Sequence, residues 1–304
     1  MPQAQVNGIE LYYEEQGEGE PLLLIMGLAT QMIAWPPTML EALVAAGFRV
    51  IRFDNRDIGL STKTEGQPGR KDVIAGLASK RLARASYTLA DMAQDAAGLL
   101  AHLDIDSAHV VGASMGGMIA QELTINHPER VRSLTSIMSN TGSRRSGQPA
   151  TKFLPELRRS LMAQTAATRE DAVDLGVESW RAISGPHFDE AEIREMVTYA
   201  LDRDFDPLGR IRQLMAINAS PDRTRGLRAI QAPTLVIHGM LDRLVSPSGG
   251  VATTRAVPGS RLLMFPDMAH DLPRSRIPEI VEAIVANARR ARQPGALTAA
   301  GEPT

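Results

Sequence analysis

The chain contains no cysteine among its 304 residues. Disulfide bonds, thiol nucleophiles and cysteine-ligated metal sites are therefore excluded, and the composition suits a reducing cytoplasm. Excess charge is absent too. The 33 basic and 35 acidic residues leave a formal net charge of −2, which gives no electrostatic basis for binding nucleic acid or an anionic membrane surface. No uninterrupted apolar run reaches the roughly 20 residues needed to span a bilayer. The opening MPQAQVNGIELYYEEQ lacks the basic segment followed by an apolar one that marks a secretory signal. A soluble, cytoplasmic protein is the expectation. The phosphate loop Gly-x-x-x-x-Gly-Lys-Ser/Thr and the dinucleotide glycine fingerprint are both missing, so nucleotide chemistry has no support. No internal repeat or low-complexity segment stands out, and no feature specifies an oligomeric state.

What is present is a hydrophobic share of 43%, ample for one large domain with a sizeable insertion. Asn7-Gly8 between short alternating runs predicts a hairpin. Leu22 to Met26, Phe48 to Phe53, the run ending at Val111, Leu134 to Met138, Thr234 to Ile237 and Arg261 to Phe265 read as strands. Helical patterns separate them around Thr38 to Ala46, from Thr88 to about Leu103 behind a Thr88/Asp91 capping box, and from about Pro278 to Arg292. Continuous apolar strands alternating with helices predict an α/β fold, a mostly parallel sheet covered on both faces. Between Asn140 and about Gly226 the alternation stops, and stretches such as Pro155 to Met162 and Glu190 to Tyr199 are amphipathic with helical spacing. The expected organisation is a core of residues 1–139 and 226–293, an inserted helical cap over 140–225, and a disordered tail over 294–304.

One stretch carries a chemical signal. In Val110-Val111-Gly112-Ala113-Ser114-Met115-Gly116-Gly117-Met118 a serine stands where a strand turns abruptly into a helix. Such a corner strains the backbone, and glycines two positions to either side remove the β-carbons that would collide there. The hydroxyl is then held above the sheet, over the free amides of a helix N-terminus. A serine hydroxyl is a poor nucleophile and needs a base, itself oriented by a third group. Of six histidines, His102, His109 and His127 flank the Ser114 unit as packing or surface residues, His187 lies in the cap and His238 ends a strand. His270, in the loop after the last strand, reaches the carboxyl edge of the sheet, where ligands meet in such folds. Asp242 follows the preceding strand, 28 residues earlier. The alternative position after Leu134 to Met138 holds only Ser139-Asn140-Thr141. Asp267 and Asp271 sit too close to His270 in sequence to reach the ring nitrogen facing away from the serine. Ser114, Asp242 and His270 thus form a candidate triad.

Through LLLIMGLAT, RFDNRDIGLST, VVGASMGGMIAQ, HGMLDRLVSP and PDMAHDLP, the chain resembles the α/β-hydrolase superfamily from about Val6 to Arg292. Within it, the nearest likeness is to the aclacinomycin methylesterase-like and haloperoxidase-like esterases. The resemblance implies an α/β-hydrolase fold, with Ser114 as nucleophile, His270 as base and Asp242 as its orienter. It also implies an oxyanion hole built from the backbone amides of Leu28 and Met115. Two positions depart from the wider pattern: Met26-Gly27 where many relatives have His-Gly, and Asp57 where glycine is usual. Asp54 and Asp57 read as scaffolding beside the site, because no histidine partners them by motif.

The expected reaction is hydrolysis of short to medium acyl or methyl esters of small molecules through an acyl-enzyme, with neither metal nor organic cofactor. Two rivals share the motifs: cofactor-free haloperoxidation through a peracid, and a slow-turnover ligand sensor on the same scaffold. Trp35, beyond the oxyanion strand, is a pocket candidate. Phe153, Met162, Trp180, Phe188, Met196, Phe205 and Met215 could supply the cap's apolar wall, with Phe153, Trp180 and Met215 singled out.

Overall fold

The computed structural model describes residues 2–66, 83–155, 168–204 and 206–292. The helix expected over Pro155 to Met162 falls, after its first residue, outside the described residues, as do Met162, Phe205 and the tail 294–304. Eight strands form one sheet: β1 (Gln3–Val6), β2 (Ile9–Gln16), β3 (Glu20–Ile25), β4 (Phe48–Phe53), β5 (Ala108–Ala113), β6 (Val131–Ile137), β7 (Thr234–Gly239) and β8 (Arg261–Phe265). Their order is β1-β2-β4-β3-β5-β6-β7-β8. β1 and β2 pair antiparallel at one end, and every pairing from β4 to β8 is parallel. Asn7 (φ 47°) and Gly8 (φ 76°) both take the left-handed conformation that a tight hairpin requires.

Strand geometry explains the two-sided core. Successive side chains point to opposite faces, so Leu23 and Ile25 of β3 join one apolar cluster while Leu22 and Leu24 join the other. Helices α2 (Leu89–His102) and α3 (Met115–Asn126) cover the first face; α1 (Pro37–Ala45) and α9 (Ile277–Arg290) cover the second. The expected capping box begins α2: Asp91 N–H donates to Thr88 Oγ1 at 3.4 Å, and Thr88 N–H donates to Asp91 Oδ2 at 2.7 Å. α1 starts at Pro37 and α9 carries Pro278 in its first turn, where a missing N–H costs nothing.

Between β6 and β7 the described residues form helices and no strand: α4 (Arg169–Ile183), α5 (Glu190–Arg203), α6 (Pro207–Ala219) and the short α7 (Thr224–Leu227), which straddles the boundary expected at 225/226. α4 and α5 share a small cluster of their own, Val173, Val177 and Val197 with Trp180, Ile193 and Met196. The stem of this insertion is closed by Arg223, whose N–H donates to Thr141 O (2.8 Å) and whose buried guanidinium donates to Gln121 Oε1 (3.0 Å) and Asn140 O (2.9 Å). α8 (Ser248–Ala256) follows β7. No helix among the described residues is long and apolar enough to cross a membrane.

Candidate active site

Ser114 joins β5 to α3 with φ 54° and ψ −118°, a region that non-glycine residues occupy only when their surroundings force it. Its N–H extends the sheet ladder to Ile137 O (2.9 Å), and its carbonyl already accepts the first helical bond from Met118 N (3.2 Å). The turn closes so tightly that a Cβ on Gly112 would lie 2.1 Å from Gly116 O, and one on Gly116 would lie 2.0 Å from Ile25 O. Both contacts are with backbone that cannot step aside, so the two glycines are required by the corner itself.

His270 and Asp242 come from the loops after β8 and β7, and the parallel pairing of β6, β7 and β8 puts both loops on the edge that carries Ser114. His270 Nε2 lies 2.9 Å from Ser114 Oγ, and His270 Nδ1 lies 2.7 Å from Asp242 Oδ2. A carboxylate only accepts, so Nδ1 carries the proton and Nε2 is left to accept from the hydroxyl. The second oxygen of Asp242 accepts from the N–H groups of Leu244 (2.9 Å) and Val245 (2.8 Å). These bonds fix the plane of the carboxylate. His238, which sequence reasoning placed only at a strand end, donates from Nε2 to Val245 O (2.8 Å) and comes within 3.3 Å of Asp242 Oδ2. The four-residue spacing in His238-Gly-Met-Leu-Asp242 is the signal that could have shown it.

Burial opposes the charge on Asp242 and would raise its pKa. The attraction of His270 and hydrogen bonds from His238 and His270 outweigh burial and bring it down to about 2. Asp271 is shifted the other way by burial, although Gly185 N–H (3.0 Å) and Ala269 N–H (3.0 Å) donate to its two oxygens.

A family model described as the alpha/beta hydrolase fold matches residues 20–273, a span that includes Ser114, Asp242 and His270. The chain is an α/β-hydrolase. It is 28% identical over 317 residues to the rhodomycin D methylesterase DnrP of Streptomyces peucetius, an alignment covering 96% of this chain and 99% of DnrP. It is 30% identical over 274 residues to "Putative non-heme bromoperoxidase BpoC" of Mycobacterium tuberculosis, covering 86% and 91% of the two chains. Among solved structures, the enol-lactonase of Burkholderia xenovorans LB400 superposes with a TM-score of 0.72 at 23% identity, over 95% of this chain and all of that one. This last likeness concerns the fold alone.

In the hydrolase, the loop after β3 runs directly against the Ser114 corner: a Cβ on Gly27 would lie 3.2 Å from Ser114 Cβ. Leu28 and Met115 both border the same cleft as Ser114 and His270. The cleft encloses about 2330 Å³ between the sheet edge and the β6–β7 insertion, larger than the roughly 300–1,000 Å³ usual for small-molecule sites. Trp180, Phe188 and Met196 line it; Trp35 and Phe153 border it as well, but both side chains are buried, Trp35 completely and within the second core cluster. Met215 does not. It is fully buried and absent from the lining, whereas Arg210, Leu214, Ile217 and Asn218 of α6 line the cleft at helical spacing. One residue on from Leu214, Met215 is turned about 100° away from that face.

The remaining candidates have other occupations. Asp54 accepts from Met32 N (2.8 Å) and Leu60 N (3.0 Å) and pairs with Arg203 (3.0 Å). Asp57 accepts from Thr64 N (2.6 Å) and pairs with Arg212 (2.9 Å). His109 is buried against Ser133 Oγ (2.8 Å), and burial lowers its pKa. His187 pairs with Asp267 (2.7 Å), His102 meets Tyr13 edge to face, and His127 lies beside Glu129. Among the described residues, no three His, Asp or Glu side chains converge as a metal site.

Proposed function

We propose that this hydrolase is a serine carboxylic ester hydrolase acting on short to medium acyl or methyl esters through an acyl-enzyme. One observation carries the reading: the unbroken relay from Ser114 Oγ to His270 (2.9 Å) and from His270 to Asp242 (2.7 Å). His270 takes the hydroxyl proton as Ser114 attacks the ester carbonyl, then returns it to the departing alcohol. Asp242 holds the imidazole in the productive tautomer and stabilises the imidazolium. The N–H groups of Leu28 and Met115 receive the charge developing on the carbonyl oxygen. Water, deprotonated by the same His270, releases the acid. Residues 140–225 act as a cap that roofs the cleft and selects the substrate. Methyl esters are favoured by the near full-length likeness to a protein named for methylesterase activity.

The bromoperoxidase-named relative supports a second reading, in which the same triad forms a peracid from a carboxylic acid and peroxide. Comparing ester hydrolysis with peroxide-dependent halogenation by one preparation separates the two. Multiple-turnover kinetics separates both from a ligand sensor.

Labelling tests the proposal directly. A fluorophosphonate is expected to modify one serine per chain, Ser114, which borders the cleft with His270 beside it, whereas Ser133, the serine against His109, is buried. Ser114→Ala should abolish labelling and lower turnover by about 10⁶-fold. Its melting temperature should stay level or rise slightly, since alanine at a strained corner loses little packing. Peptide mapping to any other serine, or full turnover in the alanine variant, overturns the reading.

A further inference from the structure

The structure assigns a positioning role to Gln213, a buried residue of the β6–β7 insertion that holds the oxyanion loop in shape by direct contact. This inference rests on the esterase reading above and adds a residue to it. Gln213 lies on α6, 184 residues from the loop it contacts, and its side chain is fully buried. Its Oε1 accepts from Ala29 N–H at 2.8 Å, and its Nε2 donates to Arg56 O at 2.8 Å. Both functions of the amide are therefore used, and both ends land on backbone of the sheet core.

The place where it lands matters. Ala29 has φ 57°, a left-handed conformation that an alanine adopts only when neighbouring contacts hold it there. The adjacent peptides are clamped one after another. Asn55 Nδ2 donates to Met26 O (2.9 Å), Thr30 Oγ1 donates to Leu28 O (3.0 Å), and Gln213 takes the N–H of the Leu28–Ala29 peptide. Between these clamps stands the Gly27–Leu28 peptide, whose N–H has no acceptor among the described residues. That is the donor expected to meet the oxyanion. A donor preorganised for charge that exists only in the transition state acts on kcat more than on KM, so slackening one clamp should show there first. α6 is itself anchored next door by Arg212, paired with Asp57 (2.9 Å) and Asp206 (2.6 Å).

The test uses Gln213→Met, which keeps the bulk and removes both hydrogen bonds, beside Gln213→Glu, which keeps the acceptor for Ala29 N–H. For Gln213→Met, kcat on a p-nitrophenyl ester should fall about 10- to 100-fold, less than the loss of an oxyanion donor outright, with KM within about twofold. The affinity for a phenylboronic acid, whose adduct with the nucleophile is tetrahedral and anionic, should weaken by the same factor as kcat/KM. Gln213→Glu should lie nearer the parent on both measures. A purely structural role predicts a lower melting temperature with kcat and boronate affinity unchanged in the folded enzyme, and that result overturns the assignment. Should Gln213→Met fail to fold, Thr30→Val removes the neighbouring clamp and should shift kcat and boronate affinity together by a smaller factor. Parent-like values for it overturn the assignment equally. If Ser114→Ala retains activity, the esterase reading itself falls; if only the Gln213 and Thr30 variants behave as the parent, that reading stands and this one does not.

Discussion

The sheet core and the β6–β7 insertion are held by different forces. In the core, Leu22, Leu23, Leu24 and Ile25 are all fully buried, alternating between two large apolar clusters. Among the described residues, the insertion's own cluster has only Val173, Val177 and Val197 as buried members. It meets the core through Ala216 and Ile217 of α6, which join the first apolar cluster, and through directional contacts: Arg203 on Asp54, Arg212 on Asp57, Gln213 on Ala29, and the carbonyl of Ile183 accepting from His270 N–H at 3.0 Å. Apolar burial is non-directional and tolerates small displacements. Buried hydrogen bonds and ion pairs do not, because a partner moved by an ångström leaves a desolvated group unpaired. The insertion therefore contributes less to the weight of the fold and more to the exact seating of the loops that carry His270 and Leu28.

Asp242→Asn should produce the largest effect, and it probes the core side of this comparison alone. The acid is held by core backbone, the N–H groups of Leu244 and Val245, so the variant should fold with its insertion seated. Turnover should nevertheless fall about 10⁴-fold, because an asparagine amide favours the wrong imidazole tautomer. Activity that survives this change but collapses on replacing Asp54 would identify a different acid.

Next come two destabilising variants read side by side. Leu24→Ala opens a cavity in the sheet and should cost about 2–5 kcal/mol, with hydrogen exchange rising across sheet and insertion together, since the core unfolds as a unit. Arg203→Ala leaves the buried carboxylate of Asp54 without its cation and should cost about 3 kcal/mol. Here exchange should rise first in α5, with kcat/KM falling before global stability is exhausted. Identical exchange patterns for the two variants would erase the distinction between core and insertion.

The smallest effect is a pH dependence. Asp242 has a folded pKa of about 2 against an ordinary 3.8, so its ionised form stabilises the native state above about pH 4, and that contribution disappears as pH falls through 2. The parent should be more stable than Asp242→Asn by about 2 kcal/mol at pH 5, and the gap should close on approaching pH 2. Denaturant titrations at both ends of that range measure it. A gap that widens with acid would reverse the assigned sign and remove the claim that core contacts favour the charged carboxylate.

Local chemistry made much of this molecule legible. The Asn7-Gly8 hairpin, the Thr88/Asp91 cap and the alternation of β3 each follow from interactions within a few residues, and the glycines of Gly112-Ala113-Ser114-Met115-Gly116 are dictated by the turn they build. The order Ser114, Asp242, His270 was readable because strand ends in a parallel sheet deliver their loops to one edge whatever lies between. The insertion was readable only as helical. Met215 and Leu214 are equally apolar, and which of them faces the cleft depends on the rotation of α6 about its axis, set by Arg212 and Gln213 finding Asp57 and Ala29 far away in the chain. An arginine, an aspartate, a glutamine and an alanine carry no local mark of such contacts. Composition and short-range sterics determined the sheet, the corner and the three aligned side chains; tertiary structure alone decided how the insertion is seated, because buried polar pairs between distant segments acquire their meaning only when folding removes the water between them.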